Sequence, residues 1–373
     1  MSEEVVCCFC GRVLQPFVEW RCPSCGGPGD LVHQTDFKPS KIKKNIHSMW
    51  RYREMLAPSM RRNIVSLGEG LTPIHRTLST NIYMKLEYIA PTGSFKDRGS
   101  AALFTSLLNT VKDVKGVVED SSGNAGASIA AYAAAAGLQS MIFCGENVVA
   151  EKAMQVRAYG SELVVVRGSR EQVAETAQQE AVSRGFVYVG HAWSPHFIEG
   201  MKTVAYEIAE QSKWAVPDRI YLPVSAGTLL LGLVKGFRDL LKAGLIDKIP
   251  LITAVQTLQR PALYEAFKGV ALGRGDDKPS IADALTLTTP PRLRQMVEEL
   301  KSVGGDVEVV SDEAVVKAVK QLGLMGVYAE PSSAVAYAAV RSKLDDLVAS
   351  GESVMVVLTG FGCKAGSSLQ KVE

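Results

Sequence analysis

The stretch Gly116-Val117-Val118-Glu119, running through Asp120 into Ser121-Ser122-Gly123-Asn124-Ala125-Gly126 and an alanine-rich segment to Ala136, decides the fold. A short β-branched run enters a turn of small residues, and the turn opens a helical stretch. The unit recurs along the chain. Further strand-like runs are 140–144, 163–166, 186–189, 219–222, 251–255, 307–310 and 354–358. Helical periodicity fits 97–108, 124–136, 171–183, 200–211, 228–241, 312–322 and 332–347. Alternation of this kind predicts an α/β protein with parallel sheets covered on both faces. In such folds ligands sit at the carboxyl ends of the strands, where loops enter helix N-termini.

The chain has 373 residues, with 47% hydrophobic and 21% charged, which excludes disorder as a description of the whole. Against a domain size of roughly 100–200 residues, that length predicts two large lobes or one long domain with an appendage. The formal charge is 41 − 39 = +2. A near-neutral chain has no net field to draw nucleic acid or an anionic membrane. No run of about 18 apolar residues occurs, so no membrane-spanning helix is expected. The start Met1-Ser2-Glu3-Glu4 lacks the basic and apolar regions of a secretory signal, and the expectation is a soluble cytoplasmic protein.

Five of the seven cysteines fall in the first 25 residues. They form Cys7-Cys8-Phe9-Cys10-Gly11 and Cys22-Pro23-Ser24-Cys25-Gly26, two Cys-x-x-Cys-Gly knuckles with eleven residues between them. Cys7, Cys10, Cys22 and Cys25 can surround Zn²⁺ tetrahedrally, and a metal would replace the apolar core that residues 1–33 are too few to build. Reactive thiols or disulfides are the alternative, and Cys8 competes with Cys7 as a ligand. Cys144 reads as core. Residues 31–70, rich in Lys and Arg, read as a solvated connector.

Three more turns resemble 121–126 in character: Pro91-Thr92-Gly93-Ser94-Phe95-Lys96-Asp97-Arg98-Gly99, Pro223-Val224-Ser225-Ala226-Gly227-Thr228 and Thr359-Gly360-Phe361-Gly362. Small residues at helix entries let backbone N–H groups approach an anion. Together the turns point to a phosphorylated cofactor, although none has the dinucleotide or P-loop spacing. Lys96, beside such turns, is the candidate amine for a Schiff base with an aldehyde cofactor.

The segments 91–99 and 121–126 resemble the fold-type II enzymes that use pyridoxal 5′-phosphate (PLP), and within them the threonine synthase family. Trp50-Arg51-Tyr52-Arg53, Leu67-Gly68-Glu69-Gly70-Leu71-Thr72-Pro73, Met84-Lys85-Leu86-Glu87 and Ala329-Glu330-Pro331-Ser332-Ser333-Ala334 are similar to that family's motifs and fall in the expected order. The resemblance implies a two-lobed, tryptophan synthase β-like fold with a zinc ribbon at 1–33. The smaller lobe would lie near 85–195, and the larger would take 34–84 and 196–373. It implies that Lys96 carries the cofactor aldehyde and moves protons, that Asn124 bonds the phenolic oxygen, that Ser225, Ala226, Gly227 and Thr228 hold the phosphate, and that Thr359 faces the pyridine nitrogen. A neutral hydroxyl there does not enforce ring protonation, which favours elimination and replacement over transamination. Lys85, Ser94 and Ser122 are expected at the substrate. The implied partner is a small amino-acid substrate, O-phospho-L-homoserine, in a homodimeric enzyme.

The family's Asn-Ser-x-Asn-Pro-x-Arg stretch is altered. His191 and Ala192 stand at its first two positions and Phe197 at the arginine. A phenyl ring makes no charge-assisted bond to phosphate, a loss worth about 2 kcal/mol or more. Lys85, His191, His196 and Arg157 remain to compensate. A serine/threonine dehydratase or a cysteine synthase-like β-replacement enzyme, which needs no second phosphate pocket, is therefore the alternative. A nucleic-acid-binding module built on the ribbon and the basic stretch 38–62 is a third.

Overall fold

The computed structural model describes residues 2–77, 81–121, 123–272 and 280–366. The ribbon has strands β1 (Glu3–Cys7), β2 (Val13–Leu14) and β3 (Gly29–His33). Then come β4 (Ile74–Arg76), β5 (Ile82–Leu86), α1 (Lys96–Thr110), β6 (Gly116–Glu119), α2 (Asn124–Ala135), β7 (Gln139–Gly145) and α3 (Ala150–Ala158). Next are β8 (Glu162–Val166), α4 (Arg170–Arg184), β9 (Val187–Tyr188), α5 (Pro195–Gln211), β10 (Arg219–Pro223) and α6 (Thr228–Lys242). The remainder is β11 (Leu251–Thr257), α7 (Ala262–Lys268), α8 (Leu293–Ser302), β12 (Asp306–Val310), α9 (Asp312–Leu324), α10 (Pro331–Arg341), α11 (Leu344–Ser350) and β13 (Val354–Leu358).

The chain packs as two compact units. The first takes residues 1–70, 90–92 and 96–203; the second takes 71–89, 93–95 and 204–373. In the first, a parallel sheet runs β8-β7-β6-β9. Every residue of β6 is buried, as a strand covered on both faces must be. Val118, Met141 and Phe143 of the sheet pack against Val173, Ala177 and Ala181 of α4. The ribbon strands pair antiparallel in the order β2-β1-β3.

The second unit holds a sheet in the order β12-β11-β10-β13-β5-β4, parallel except for the edge strand β4. Strand β13 is fully buried, and α10 covers the sheet with Val335, Ala336 and Val340. The parallel α/β expectation holds in both units. No described helix is long and apolar enough to cross a membrane.

Three readings are corrected. Residues 31–70 are not a solvated connector: Met49, Trp50, Tyr52, Met55, Leu56 and Met60 are buried between the charges. The Trp50 indole N–H donates to Glu69 at 2.6 Å, and the Tyr132 hydroxyl donates to the same carboxylate at 2.5 Å. This stretch packs in the first unit. The single helix over 332–347 is two, because Lys343 leaves helical geometry at φ −132°. Helix α5 begins five residues earlier than position 200, with Pro195 at its first turn, where a missing N–H costs nothing.

Candidate active site

In the first unit, Lys96 is the first residue of α1 and is half-buried. The next residue fixes it. The buried Asp97 carboxylate accepts from the Thr92 N–H at 2.7 Å, the Thr92 hydroxyl at 2.6 Å and the Ser128 hydroxyl at 2.7 Å. An acid in the first turn also complements the helix dipole. Ser128 lies on α2, so one carboxylate ties the turn before Lys96 to the neighbouring helix.

Helix α2 starts at Asn124, which is buried. Its N-cap is Gly123, which has no side chain to satisfy the first-turn N–H groups. Gly126 is required sterically, since a Cβ there would lie 1.8 Å from the Ser121 carbonyl oxygen. Ser122 lies outside the described residues.

The end of β6 carries a polar cluster. The Glu119 carboxylate accepts from the His191 backbone N–H at 3.0 Å and lies 2.8 Å from His191 Nδ1. Asp120 pairs with Arg170 at 2.7 Å and accepts from the Tyr188 hydroxyl at 3.1 Å. Burial, then the adjacent Asp120 charge, holds the Glu119 carboxyl well above its ordinary range. Burial, then the Lys96 charge, pushes His191 down to about 3. Lys96 thus lies within electrostatic reach of both members of the pair. The pair is absent from the sequence reading. The signal was two acids ending an otherwise apolar, buried strand, where an acid needs a partner.

In the second unit, Gly93–Phe95 lies antiparallel on Thr359–Phe361. The Phe95 N–H donates to the Thr359 carbonyl at 3.1 Å and the Phe361 N–H to the Gly93 carbonyl at 3.0 Å. Thr359 follows β13, is buried, and its N–H donates to Ser333 Oγ at 2.7 Å. The Ser94 hydroxyl is buried with no partner among the described residues, a state that calls for a ligand or water.

Residues 225–228 follow β10 and open α6. Gly227 has φ +84°, and a Cβ on it would fall 2.2 Å from Met296 Sδ. Only glycine fits there, and it leaves the first-turn N–H groups of α6 without a side-chain cap. That is the donor set a phosphate takes. In the first unit the Lys96 amine and the uncapped start of α2, and in the second the uncapped start of α6 and the buried Ser94 hydroxyl, are each groups of the kind a PLP-type cofactor takes.

Lys85, expected at the substrate, lies on β5 in the second unit. Its side chain is fully buried, and its ammonium donates to the Thr72 carbonyl at 2.7 Å, Glu207 Oε2 at 3.0 Å and Gln211 Oε1 at 2.8 Å. An ammonium has three donors, and these acceptors take them. Phe197 is also fully buried, and Arg157 is exposed at the end of α3.

The Sγ atoms of Cys7, Cys10, Cys22 and Cys25 all lie within 4.8 Å of one another. Cys7–Cys25 is 3.4 Å, Cys10–Cys22 is 3.6 Å and Cys10–Cys25 is 3.6 Å. A zinc–sulfur bond of about 2.3 Å gives a tetrahedral edge of about 3.8 Å, so the four fit a metal. The knuckles match: Gly11 N–H donates to the Cys7 carbonyl and Gly26 N–H to the Cys22 carbonyl, both glycines at positive φ. Cys7, not Cys8, belongs to the cluster. Cys144 is buried, as read, and Cys363 is exposed.

Comparison with known proteins places this arrangement. The family model "Pyridoxal-phosphate dependent enzyme" matches residues 65–360. The threonine synthase of Methanocaldococcus jannaschii is 31% identical over 96% of this chain and 92% of its own. That of Methanosarcina acetivorans is 30% identical over 95% and 90%. Among solved structures, a fungal L-serine ammonia-lyase from Rhizomucor miehei aligns with a TM-score of 0.70 and 24% identity, covering 81% of this chain and 97% of that one. The last likeness speaks to the fold. The two threonine synthases span nearly the whole sequence, and on them and the family match the chain belongs to the threonine synthase family of pyridoxal-phosphate-dependent enzymes.

Proposed function

We propose that the protein converts O-phospho-L-homoserine and water to L-threonine and phosphate. The observation that carries this reading is the near full-length likeness to threonine synthases, joined to a lysine at the head of α1. In the first unit, Lys96 would hold the cofactor aldehyde and Asn124 its phenolic oxygen. In the second, residues 225–228 would hold its phosphate and Thr359 would face the ring nitrogen. When bound, PLP supplies the electron sink for the pair left as the substrate Cα–H bond breaks.

The chain's own residues supply the proton handling and the placement. Lys96 Nζ would take the Cα proton and work at Cβ, where water adds. Asp97 holds the helix start so that Nζ keeps its place. Glu119 and His191 lie within electrostatic reach of that amine, and Asp120 pairs with Arg170 beside them. Ser94 and Ser122 would meet the substrate. Lys85 has its donors spent inside the fold and serves there. Cys7, Cys10, Cys22 and Cys25 would hold one structural Zn²⁺, with residues 1–33 as the ribbon. A thiol-rich ribbon suits the reducing cytoplasm, and the resemblance implies a homodimer.

The test is direct. Purified holoenzyme should release phosphate from O-phosphohomoserine with stoichiometric threonine. A second reading, a serine/threonine dehydratase or β-replacement enzyme, is favoured by the burial of Phe197 where the family has arginine. It would instead give 2-oxobutyrate from threonine, or a β-substituted product, without phosphate release from phosphohomoserine.

A further inference from the structure

The ribbon packs within the first unit against residues 188–199. Phe17 stacks on His196 with ring centroids 4.4 Å apart and planes at 17°. Trp20 meets Trp193 edge-on at 5.0 Å and Tyr188 at 5.3 Å. His33 Nε2 lies 2.7 Å from Glu199 Oε1, both side chains almost wholly buried, and Lys202 reaches the same oxygen at 3.1 Å. Phe17 holds a φ of +62°, a conformation that costs a bulky residue energy and persists only where surroundings impose it. Rings and loop line a small, partly open pocket.

The other side of that segment touches the lysine's own neighbourhood. Val189 N–H donates to the Val118 carbonyl of β6 at 2.9 Å. His191 sits on Glu119 through its backbone and its ring. Phe197 lies under Gly99 of α1, three residues from Lys96, where a Cβ would meet its ring at 2.3 Å. Residues 188–197 are therefore held between the ribbon's rings and the strand and helix that carry Glu119 and Lys96.

We propose that Phe17 and Trp20 are positioning residues for the active site: they hold 188–197 so that His191 stays on Glu119 within reach of Lys96. The four-cysteine cluster, by holding the two rings, sets the geometry around the reacting amine from outside the catalytic core. The ribbon is then part of the catalytic apparatus and not a separate brace. This deepens the reading of Lys96 as the cofactor lysine and rests on it.

The test uses the holoenzyme with ¹⁵N-labelled histidine. The chain has five histidines, and His191→Ala assigns the signal of interest. In Phe17→Ala/Trp20→Ala the His191 ring-nitrogen signal should move to that of a released imidazole, and kcat/KM should fall roughly 10–100-fold. In a His191→Ala background the same pair should cost no more than about twofold, since residues acting through one another are not additive. Removing the metal with chelator and reductant should move the same signal. Val18→Ser, on the ribbon's exposed face, should move nothing. If the double alanine variant fails to fold, Phe17→Leu/Trp20→Phe replaces it with a smaller shift in the same direction. An unmoved His191 signal, or losses that add in full to those of His191→Ala, overturns the proposal. A Lys96→Ala protein that keeps covalently bound cofactor overturns the lysine assignment instead, and leaves the His191 signal as an independent reading of the ribbon.

Discussion

The ring of Phe197 fills the space left by the missing side chain of Gly99, with Cδ1 only 2.3 Å from where a Cβ would stand. Helices α1 and α5 meet there with the Phe197 ring seated on the bare Gly99 backbone. The aromatic residue at the family's arginine position is thus a packing residue of the helix that begins with Lys96. Phe197→Arg would bury an unpaired guanidinium in an apolar seam and should destabilise the fold by about 3–5 kcal/mol. Gly99→Ala should lower the melting temperature as well. A Phe197→Arg protein of unchanged stability with a lowered KM for phosphohomoserine would show instead that the position faces substrate.

Lys85 gives the second prediction. Lys85→Ala leaves Glu207 buried without its cation and should cost about 3–5 kcal/mol by denaturant unfolding. Adding Glu207→Gln should recover part of the loss, because the two changes share one ion pair. KM for substrate, measured on folded protein, should stay near the wild-type value. A tenfold rise in KM at unchanged stability would return Lys85 to the substrate.

Lys96→Ala should abolish the visible band of bound cofactor and lower threonine formation by at least about 10²–10⁴-fold. Asp97→Asn, which keeps the shape and removes the charge, should retain the band and lose part of kcat. Absorbance and phosphate release read the two together.

The pH dependence follows from the buried histidines. Burial holds His191 down to about 3 and His196 to about 4, against 6.5 when unfolded. Between those values the unfolded chain binds more protons, so their contribution is complete above about pH 6.5 and is lost as pH falls toward 4 and then 3. Glu119 works the other way: its raised carboxyl favours the folded state below its own titration. The unfolding midpoint should fall on acidification through this window, and His196→Gln should flatten the slope. An unchanged slope in that variant would mean His196 is protonated in the fold.

Much of this was legible in the sequence. β6 and β13 were bounded correctly because a buried parallel strand is a continuous apolar run between small-residue turns. Helices α2 and α6 were found from their glycine-bearing entries. Helices α3, α7 and α8 were missed: each is short, and α3 carries Glu151, Lys152 and Arg157 with only three buried residues. The charge-rich stretch before residue 70 misled because Trp50 and Tyr52 alternate with arginines, and only the Glu69 carboxylate shows where the indole goes. The cysteine cluster was legible from spacing except for the choice between Cys7 and Cys8, which adjoin in sequence and are told apart only by where the thiols point. The Glu119–His191 pair was not, because 72 residues separate its members and only the β6–β9 pairing joins them.

Helix ends ordinarily fray, and their amides exchange with solvent on opening of the last turn alone. The first turn of α1 is denied that freedom by Asp97, whose carboxylate is fixed from the preceding turn and from a second helix. The Thr92 amide should therefore exchange deuterium nearly as slowly as the centre of the sheet. The amine thus stands on a helix start pinned by three hydrogen bonds, and its nearest source of motion is the side chain's own four carbons.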